Sequence, residues 1–253
     1  MVLCRAPLSL FIASPVDNSA NSLTPSISLF HISSPLNSHP DLLRRSSNRG
    51  RVVCISDTNG GFVASQSSKK SQLVVSITGA TGFIGRRLVQ KLIADDHIVR
   101  ILTRSRRNAL LVFPGRRFPE IVIAEEEGWN KCIEGSNAVV NLAGMPISTR
   151  WSSEVKKEIK QSRVKVTSKV VDLINKMNSS TRPSVLISAT AIGYYGTSET
   201  EVFDEKSPSG NDYLAEVCRE WEEKALEVDK DVRLLLIRVG IVLGQDGGAL
   251  GLC

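Results

Sequence analysis

Residues 73–85 read Leu73-Val74-Val75-Ser76-Ile77-Thr78-Gly79-Ala80-Thr81-Gly82-Phe83-Ile84-Gly85. An apolar run, Leu73 to Ile77, passes directly into three glycines spaced three apart, and a helical pattern follows at once. This order, strand then tight loop then helix, has a physical use for each glycine. Gly79 lets the chain turn sharply off the strand. Gly82 leaves no side chain between the backbone and a pyrophosphate. Gly85 lets the new helix pack closely on the sheet. The helix N-terminus then presents free N–H groups and a positive dipole end to the phosphates. A bare glycine triplet is a weak signal and also fits a structural turn in some other α/β domain. The strand before it and the helix after it favour a dinucleotide cradle.

Outward from this loop, hydrophobic periodicity lays out an α/β alternation. The helix after the loop carries Phe83, Ile84, Leu88, Leu92 and Ile93 at helical spacing and stops at Asp95-Asp96. A second strand spans residues 97–103, a third 120–124, a fourth 138–144, a fifth 184–190 and a sixth 232–243. A long amphipathic helix is expected from Trp151 to about Met177, and another from Tyr213 to about Val228. Strands alternating with helices through right-handed crossovers give a doubly wound parallel sheet of NAD(P)-binding Rossmann type, strand order 3-2-1-4-5-6.

The end of the second strand bears on the cofactor. An NAD site usually places Asp or Glu there to accept hydrogen bonds from the ribose 2′-OH, and that carboxylate would repel a 2′-phosphate. Here the chain reads Thr103-Arg104-Ser105-Arg106-Arg107. Guanidinium groups and hydroxyls suit a phosphate, so NADP is expected in preference to NAD. The competing account is a solvated basic turn, as charge runs often are.

Composition narrows the function classes. The chain has 253 residues, of which 42% are hydrophobic, enough for one large domain. Its net charge of +6 is uneven, because residues 1–70 hold seven basic and three acidic residues. The remaining excess of +2 gives no reason to expect a nucleic-acid partner. No apolar stretch approaches the ~18–20 residues of a membrane span. The five cysteines, Cys4, Cys54, Cys132, Cys218 and Cys253, form no CxxC, and no His stands at a ligand spacing from them. They fit unpaired thiols in a reducing compartment, not a disulfide frame or a metal site.

Residues 1–70 are expected to lie outside the fold. Fifteen are serine, prolines interrupt each short apolar piece, and no period persists. A serine-rich, acid-poor, mildly basic leader fits an organelle transit peptide, with the hydroxyl bias favouring a plastid over a mitochondrion. Arg51-Val52-Val53-Cys54 is a candidate processing site; a plain disordered tail is the alternative. The expected domains are thus a plastid transit peptide over 1–70 and an NADP-binding Rossmann domain over 71–253.

Four motifs carry a resemblance: TGATGFIG at 78–85, NLAG at 141–144, SATAIGYYG at 188–196 and DYLAEVCREWE at 212–222. Together, over about residues 72–248, they resemble the short-chain dehydrogenase/reductase superfamily. Within it they are most similar to the atypical, extended-type epimerase-family branch, a branch the resemblance links to plastid division. The resemblance implies that Gly79, Thr81, Gly82, Phe83, Ile84 and Gly85 wrap the pyrophosphate. It implies that Thr103, Arg104 and Ser105 hold the adenosine 2′-phosphate, and that Leu142, Ala143 and Gly144 line the ribose. It brings Glu158 and Arg163 of the long helix to the cofactor side, although five residues apart they diverge by about 140° around the helix. It puts Arg238 and Val242 near the nicotinamide end.

Catalysis in the superfamily rests on a tyrosine with a lysine four positions later, the ammonium lowering the phenol pKa. The tyrosines here are Tyr194, Tyr195 and Tyr213, followed four residues on by Ser198, Glu199 and Val217, so no YxxxK exists. Ser188 or Thr190 suits the hydroxyl that holds a substrate oxygen. Tyr213 starts the corresponding helix without its lysine, and Lys165 or Lys169 is the nearest candidate substitute. Tyr194 and Tyr195 fit packing residues in a turn. The catalytic candidates are therefore Thr190 and Tyr213.

Extended-type members continue past strand six into a smaller substrate lobe. The chain stops at Cys253, so the expectation is a C-terminally truncated product lacking most of that lobe, with strand six an exposed edge. Two functions follow from the resemblance. One is an NADP-dependent oxidoreductase or epimerase acting on an unidentified small molecule, of which nucleotide sugars are one class. The other is a non-catalytic NADP-binding regulator or scaffold in chloroplast division, with division or envelope-associated proteins as partners. Either would act in the plastid stroma or on the stromal face of the inner envelope.

Overall fold

The computed structural model describes residues 71–249. The expected transit peptide over 1–70, with its candidate processing site, lies outside the described residues.

The alternation in the sequence becomes one six-stranded parallel sheet. Its strands are β1 (Val74–Thr78), β2 (Ile98–Leu102), β3 (Val122–Ala124), β4 (Ala138–Asn141), β5 (Val185–Ala191) and β6 (Arg233–Val239). They lie in the order β3-β2-β1-β4-β5-β6, which is the order expected from the sequence. The chain order reverses between β1 and β4, and ligands of such sheets bind outside the carboxyl ends of the strands at that crevice.

The period-two alternation along each strand divides the core. Val75 and Ile77 of β1, Val99 and Ile101 of β2 and Val140 of β4 face one layer, where they bury Val89 of α1 (Phe83–Ala94) and Ala109 and Phe113 of the stretch after β2. Val139 of β4 and Leu186 of β5 face the other. There they pack on Trp129 and Ile133 of α3 (Trp129–Ile133) and on Val170, Val171 and Ile174 of α4 (Ser153–Asn175). A fifth helix, α5 (Tyr213–Leu226), lies beside α4 and buries Ala215, Val217, Cys218, Trp221 and Ala225.

Local chemistry sets the element ends. Ser152 caps α4 by accepting from the Val155 N–H at 3.2 Å, so the helix begins just after Trp151. Asp212 caps α5 through the Ala215 N–H at 2.8 Å. Four elements differ from the sequence expectation, the first being the fourth strand, which ends at Asn141 and not Gly144. The basic run after β2 does not stay a turn: Ser105 caps a short helix, α2 (Arg106–Val112). The five-residue α3 was also not expected. Both are too short to display a helical period, and α2 buries only Ala109. The sixth strand ends at Val239, not Leu243. Beyond Gly240 the chain turns back, and β7 (Leu243–Gly244) pairs antiparallel with β8 (Gly247–Gly248) in a small hairpin. Among the described residues no helix is long and apolar enough to cross a membrane.

Candidate functional site

The carboxyl ends of β1 and β4 meet at Gly79. Its φ is +67°, and a Cβ there would stand 2.5 Å from the Leu142 carbonyl oxygen and 2.8 Å from the Ala143 nitrogen. Only glycine allows both this backbone and this approach. Gly85 is equally constrained, because a Cβ would fall 2.3 Å from the Gly79 oxygen. Gly82 donates its N–H to Gly79 O at 3.0 Å and is the N-cap of α1, exposed and without a side-chain cap. The N–H groups of Phe83, Ile84 and Gly85 follow and have no intrahelical acceptor. Thr81 is half-buried beside them. The result is a short concave backbone lip with the start of a helix behind it. A phosphate fits this shape and polarity.

A buried polar chain fixes the lip. Thr78 Oγ1 donates to Asn141 Oδ1 at 2.6 Å, Asn141 Nδ2 donates to Thr167 Oγ1 at 2.8 Å, and Trp221 Nε1 donates to the same hydroxyl at 2.8 Å. Asn141 Nδ2 also reaches Ser188 Oγ at 3.3 Å. This chain links β1, β4, α4, α5 and β5, and all its members but Thr167 lie in the motifs singled out in the sequence. Its members are all nearly inaccessible, so each loss would strand a buried partner.

Around the lip, Leu142, Ala143 and Gly144 form its second wall. Gly144 lies against Arg163, whose Cζ would be 3.2 Å from an added Cβ. Arg163 donates to Ile159 O at 2.8 Å and to Met145 O at 2.9 Å, and makes no ion pair among the described residues. Burial pulls its pKa below the ordinary value. Glu158, five residues earlier on α4, is exposed, so the two residues point to different surroundings, as their angular separation requires.

At the end of β2, Thr103 and Ser105 form a tight polar turn. Thr103 Oγ1 accepts from Ser105 N at 3.2 Å, and Ser105 Oγ accepts from Asn108 N at 3.3 Å. Of the three arginines, Arg104 and Arg107 are exposed and only Arg106 is engaged among the described residues. Arg106 is committed to the fold: its guanidinium donates to Ile123 O and its N–H to Glu125 Oε1 at 2.8 Å. Arg104 is exposed and makes no ion pair or hydrogen bond among the described residues. A 2′-phosphate would therefore find Arg104 available and Arg106 engaged.

The carboxyl ends of β5 and β6 form a second region. Thr190 lies level with Arg238 across the β5–β6 pair. Thr190 Oγ1 is buried without a hydrogen bond of normal geometry; it lies near the Cys218 thiol, whose pKa burial pushes up. Arg238 forks onto Glu222 of α5 at 2.9 and 2.8 Å and donates to Tyr195 Oη at 2.8 Å. Its Cζ stacks 3.5 Å from the Tyr194 ring centre. Burial disfavours this charge, but Glu222 and Tyr195 outweigh it and hold the guanidinium firmly protonated. Val242 lies beyond β6, where its carbonyl accepts from Ala249 N at 2.9 Å in the turn around the hairpin. That hairpin packs Gly244, Gly247 and Gly248 on the Phe83 ring, and Asp246 pairs with Arg87.

Tyr213 opens α5, but its hydroxyl donates to the Lys156 carbonyl and its ring meets Trp151 edge-on at 5.7 Å. Burial raises its pKa, with Lys160 and Arg163 opposing more weakly. In this arrangement the phenol is a proton donor, poorly suited to accept a proton. Residues that the sequence did not mark as functional are Asn141, Thr167, Trp221, Tyr195, Phe203 and Glu222. They act through long-range side-chain contacts that leave no spacing signature.

Comparison with known proteins bears on this geometry. The profile described as "NAD dependent epimerase/dehydratase family" matches residues 75–249. "Epimerase family protein SDR39U1 homolog, chloroplastic" of Arabidopsis thaliana is 68% identical over 202 residues, covering 80% of this chain and 58% of that protein. An epimerase family protein of Mycobacterium leprae is 34% identical over 196 residues, covering 73% and 57%. The crystal structure of human epimerase family protein SDR39U1 (isoform 2) with NADPH aligns at a TM-score of 0.59 and 31% identity, covering 71% of this chain and 57% of that one. The chain thus spans less than three fifths of the length of each of these relatives.

Proposed function

Because the chain belongs to the NAD-dependent epimerase/dehydratase family, we propose that it binds NADP at the crevice between β1 and β4 and serves as an oxidoreductase or epimerase of the chloroplast acting on a small substrate. The observation that carries this is the pairing of two features: the Gly79 lip closed against Leu142 and Ala143, and the unengaged Arg104 at the end of β2. The human relative was crystallised with NADPH and the Arabidopsis relative is named chloroplastic, which supports cofactor and compartment alike.

In this assignment Gly79, Thr81, Gly82, Phe83, Ile84 and Gly85 take the pyrophosphate. Thr103, Arg104 and Ser105 take the 2′-phosphate. Leu142, Ala143 and Gly144 line the ribose with Arg163 behind them, and Arg238 and Val242 support the nicotinamide end. When bound, the nicotinamide supplies a hydride acceptor or donor. Thr190 is the hydroxyl assigned to a substrate oxygen, and Tyr213 is assigned as a proton donor. Residues 1–70 serve as the plastid transit peptide; fused to a fluorescent protein they should deliver it to plastids, and fluorescence left in the cytosol would sink that assignment.

Calorimetric titration of the full chain tests the cofactor. NADP should bind more tightly than NAD. Arg104→Asp should weaken NADP by roughly 10–100-fold, the range for losing a hydrogen-bonded charge contact, and change NAD by much less. Equal losses for both would remove Arg104 from the 2′-phosphate site. A second reading, a non-catalytic NADP-binding scaffold in chloroplast division, is favoured by one observation, the absence of any YxxxK. Hydride transfer by this chain to any carbonyl compound would rule it out.

A further inference from the structure

Beyond the β1–β4 lip, the carboxyl ends of β5 and β6 hold a pocket of about 440 Å³, which shares Arg238 with the nicotinamide end of the cofactor assignment. Its apolar wall is Ile192, Tyr195 and Phe203, with the Tyr195 and Phe203 rings parallel within 9° and 5.5 Å apart. Its rim bears the hydroxyls of Thr197 and Ser198 and the carboxylates of Glu201, Asp204 and Glu205. Such a volume suits a small molecule with one flat face.

The electrostatics are one-sided. Asp204 is tied to Ser207 at 2.8 Å and has Lys206 beside it. Glu201 and Glu205 are exposed and make no ion pair among the described residues. The pocket's cation, Arg238, is already neutralised by the Glu222 fork, and its Nη1 donates to Tyr195 Oη and Glu205 O. A phosphate entering here would meet two unbalanced carboxylates and, among the described lining residues, no free cation, which is unfavourable. A hydroxyl or ammonium would meet acceptors, and a ring would stack on Tyr195 or Phe203.

We propose that this pocket binds a small ring-containing molecule that carries hydroxyl or amino groups and no phosphate. Taken as the substrate class this rests on the function proposed above and sets nucleotide sugars aside; taken as a binding site it stands by itself. The Glu222–Arg238 pair is the device that sets the sign, because it withdraws the one cation from incoming anions.

Three probes with one ring separate the charges: 2-phenylethylamine, 2-phenylethanol and 2-phenylethyl phosphate. Each is titrated into the isotopically labelled full chain, with and without NADP, following the resonances of Ile192, Gly196 and Ser198. The amine should bind tightest and the phosphate weakest, about tenfold apart. Glu201→Gln with Glu205→Gln, both on the surface and harmless to folding, should shrink that gap roughly threefold. Phosphate binding equal to or tighter than the amine would overturn the proposal, as would shifts confined to other residues or no shift with any probe. If the charge order holds while NADP fails to bind, the pocket stands and the cofactor assignment falls. If NADP binds and the charge order fails, the reverse is true.

Discussion

The two carboxyl-end regions of this sheet are built from different materials. Between β1 and β4 the surfaces are backbone: Gly79 lies against the Leu142 carbonyl, Gly85 against Gly79, and an added Cβ on the exposed Gly82 would stand 3.2 Å from the Gly79 oxygen. Between β5 and β6 the surfaces are side chains: Arg238 is held by Glu222, Tyr195 and the Tyr194 ring, and Phe203 stacks on Tyr195. A backbone surface accepts any ligand of the right charge and shape and tolerates almost no substitution. A side-chain surface can be retuned one residue at a time. The division has a physical logic: a ligand common to many proteins suits the first material, and one that varies from protein to protein suits the second.

The first way to break this contrast is Gly79→Ala. The positive φ and a Cβ 2.5 Å from Leu142 O leave no relaxed position for a methyl group. The variant should lose roughly 3 kcal/mol of stability, combining backbone strain with overpacking. That corresponds to a fall of about 6–12 °C in Tm for a domain of this size. Thermal unfolding followed by circular dichroism measures it, and NADP binding should vanish in calorimetry even below the new Tm. A variant as stable as the parent would show that the β1–β4 lip is slack, and the comparison drawn above would fail.

This difference in material also explains what the sequence revealed. Glycines forced by backbone contact must appear at fixed spacings, so Gly79, Gly82 and Gly85 were legible, and so was the strand order built from periodic apolar runs. The basic run at 104–107 was legible as a charge pattern, but its division of labour was not. That Arg106 turns to Ile123 O while Arg104 stays exposed depends on where β3 lies, which local sequence does not encode. The end of β6 was misjudged for a related reason: Ile241, Val242 and Leu243 continue an apolar pattern, yet the chain bends after Val239 so that three glycines can pack on Phe83. Tyr194 and Tyr195 looked like turn packing because their partner, Arg238, is 43 residues from Tyr195. Pairings at that separation have no spacing to read.

A subtler perturbation acts on the side-chain half. Glu222→Gln keeps the shape of the α5 face and removes the charge opposite Arg238. Glu222 is only 6% exposed, so the guanidinium would be left half-buried with Tyr195 Oη and Glu205 O as its acceptors. Removing one member of a buried pair strands the other, and a loss of about 2–3 kcal/mol is expected, somewhat below the usual range because those acceptors remain. Replacing both residues, with Arg238→Met added, should recover part of it, since no charge is then left without its partner. Urea unfolding of the single and double variants measures both steps. The single variant should also bring 2-phenylethyl phosphate closer to 2-phenylethylamine in pocket affinity, because Arg238 becomes a free cation facing the cavity. NADP affinity should change much less, since Glu222 touches nothing at the β1–β4 lip and reaches the cofactor only through Arg238 at its nicotinamide end. A large loss of NADP binding in Glu222→Gln would mean that the two carboxyl-end regions are energetically one site, coupled through Trp221 and Thr167 to Asn141, and that the adjustable half cannot be altered without disturbing the invariant one.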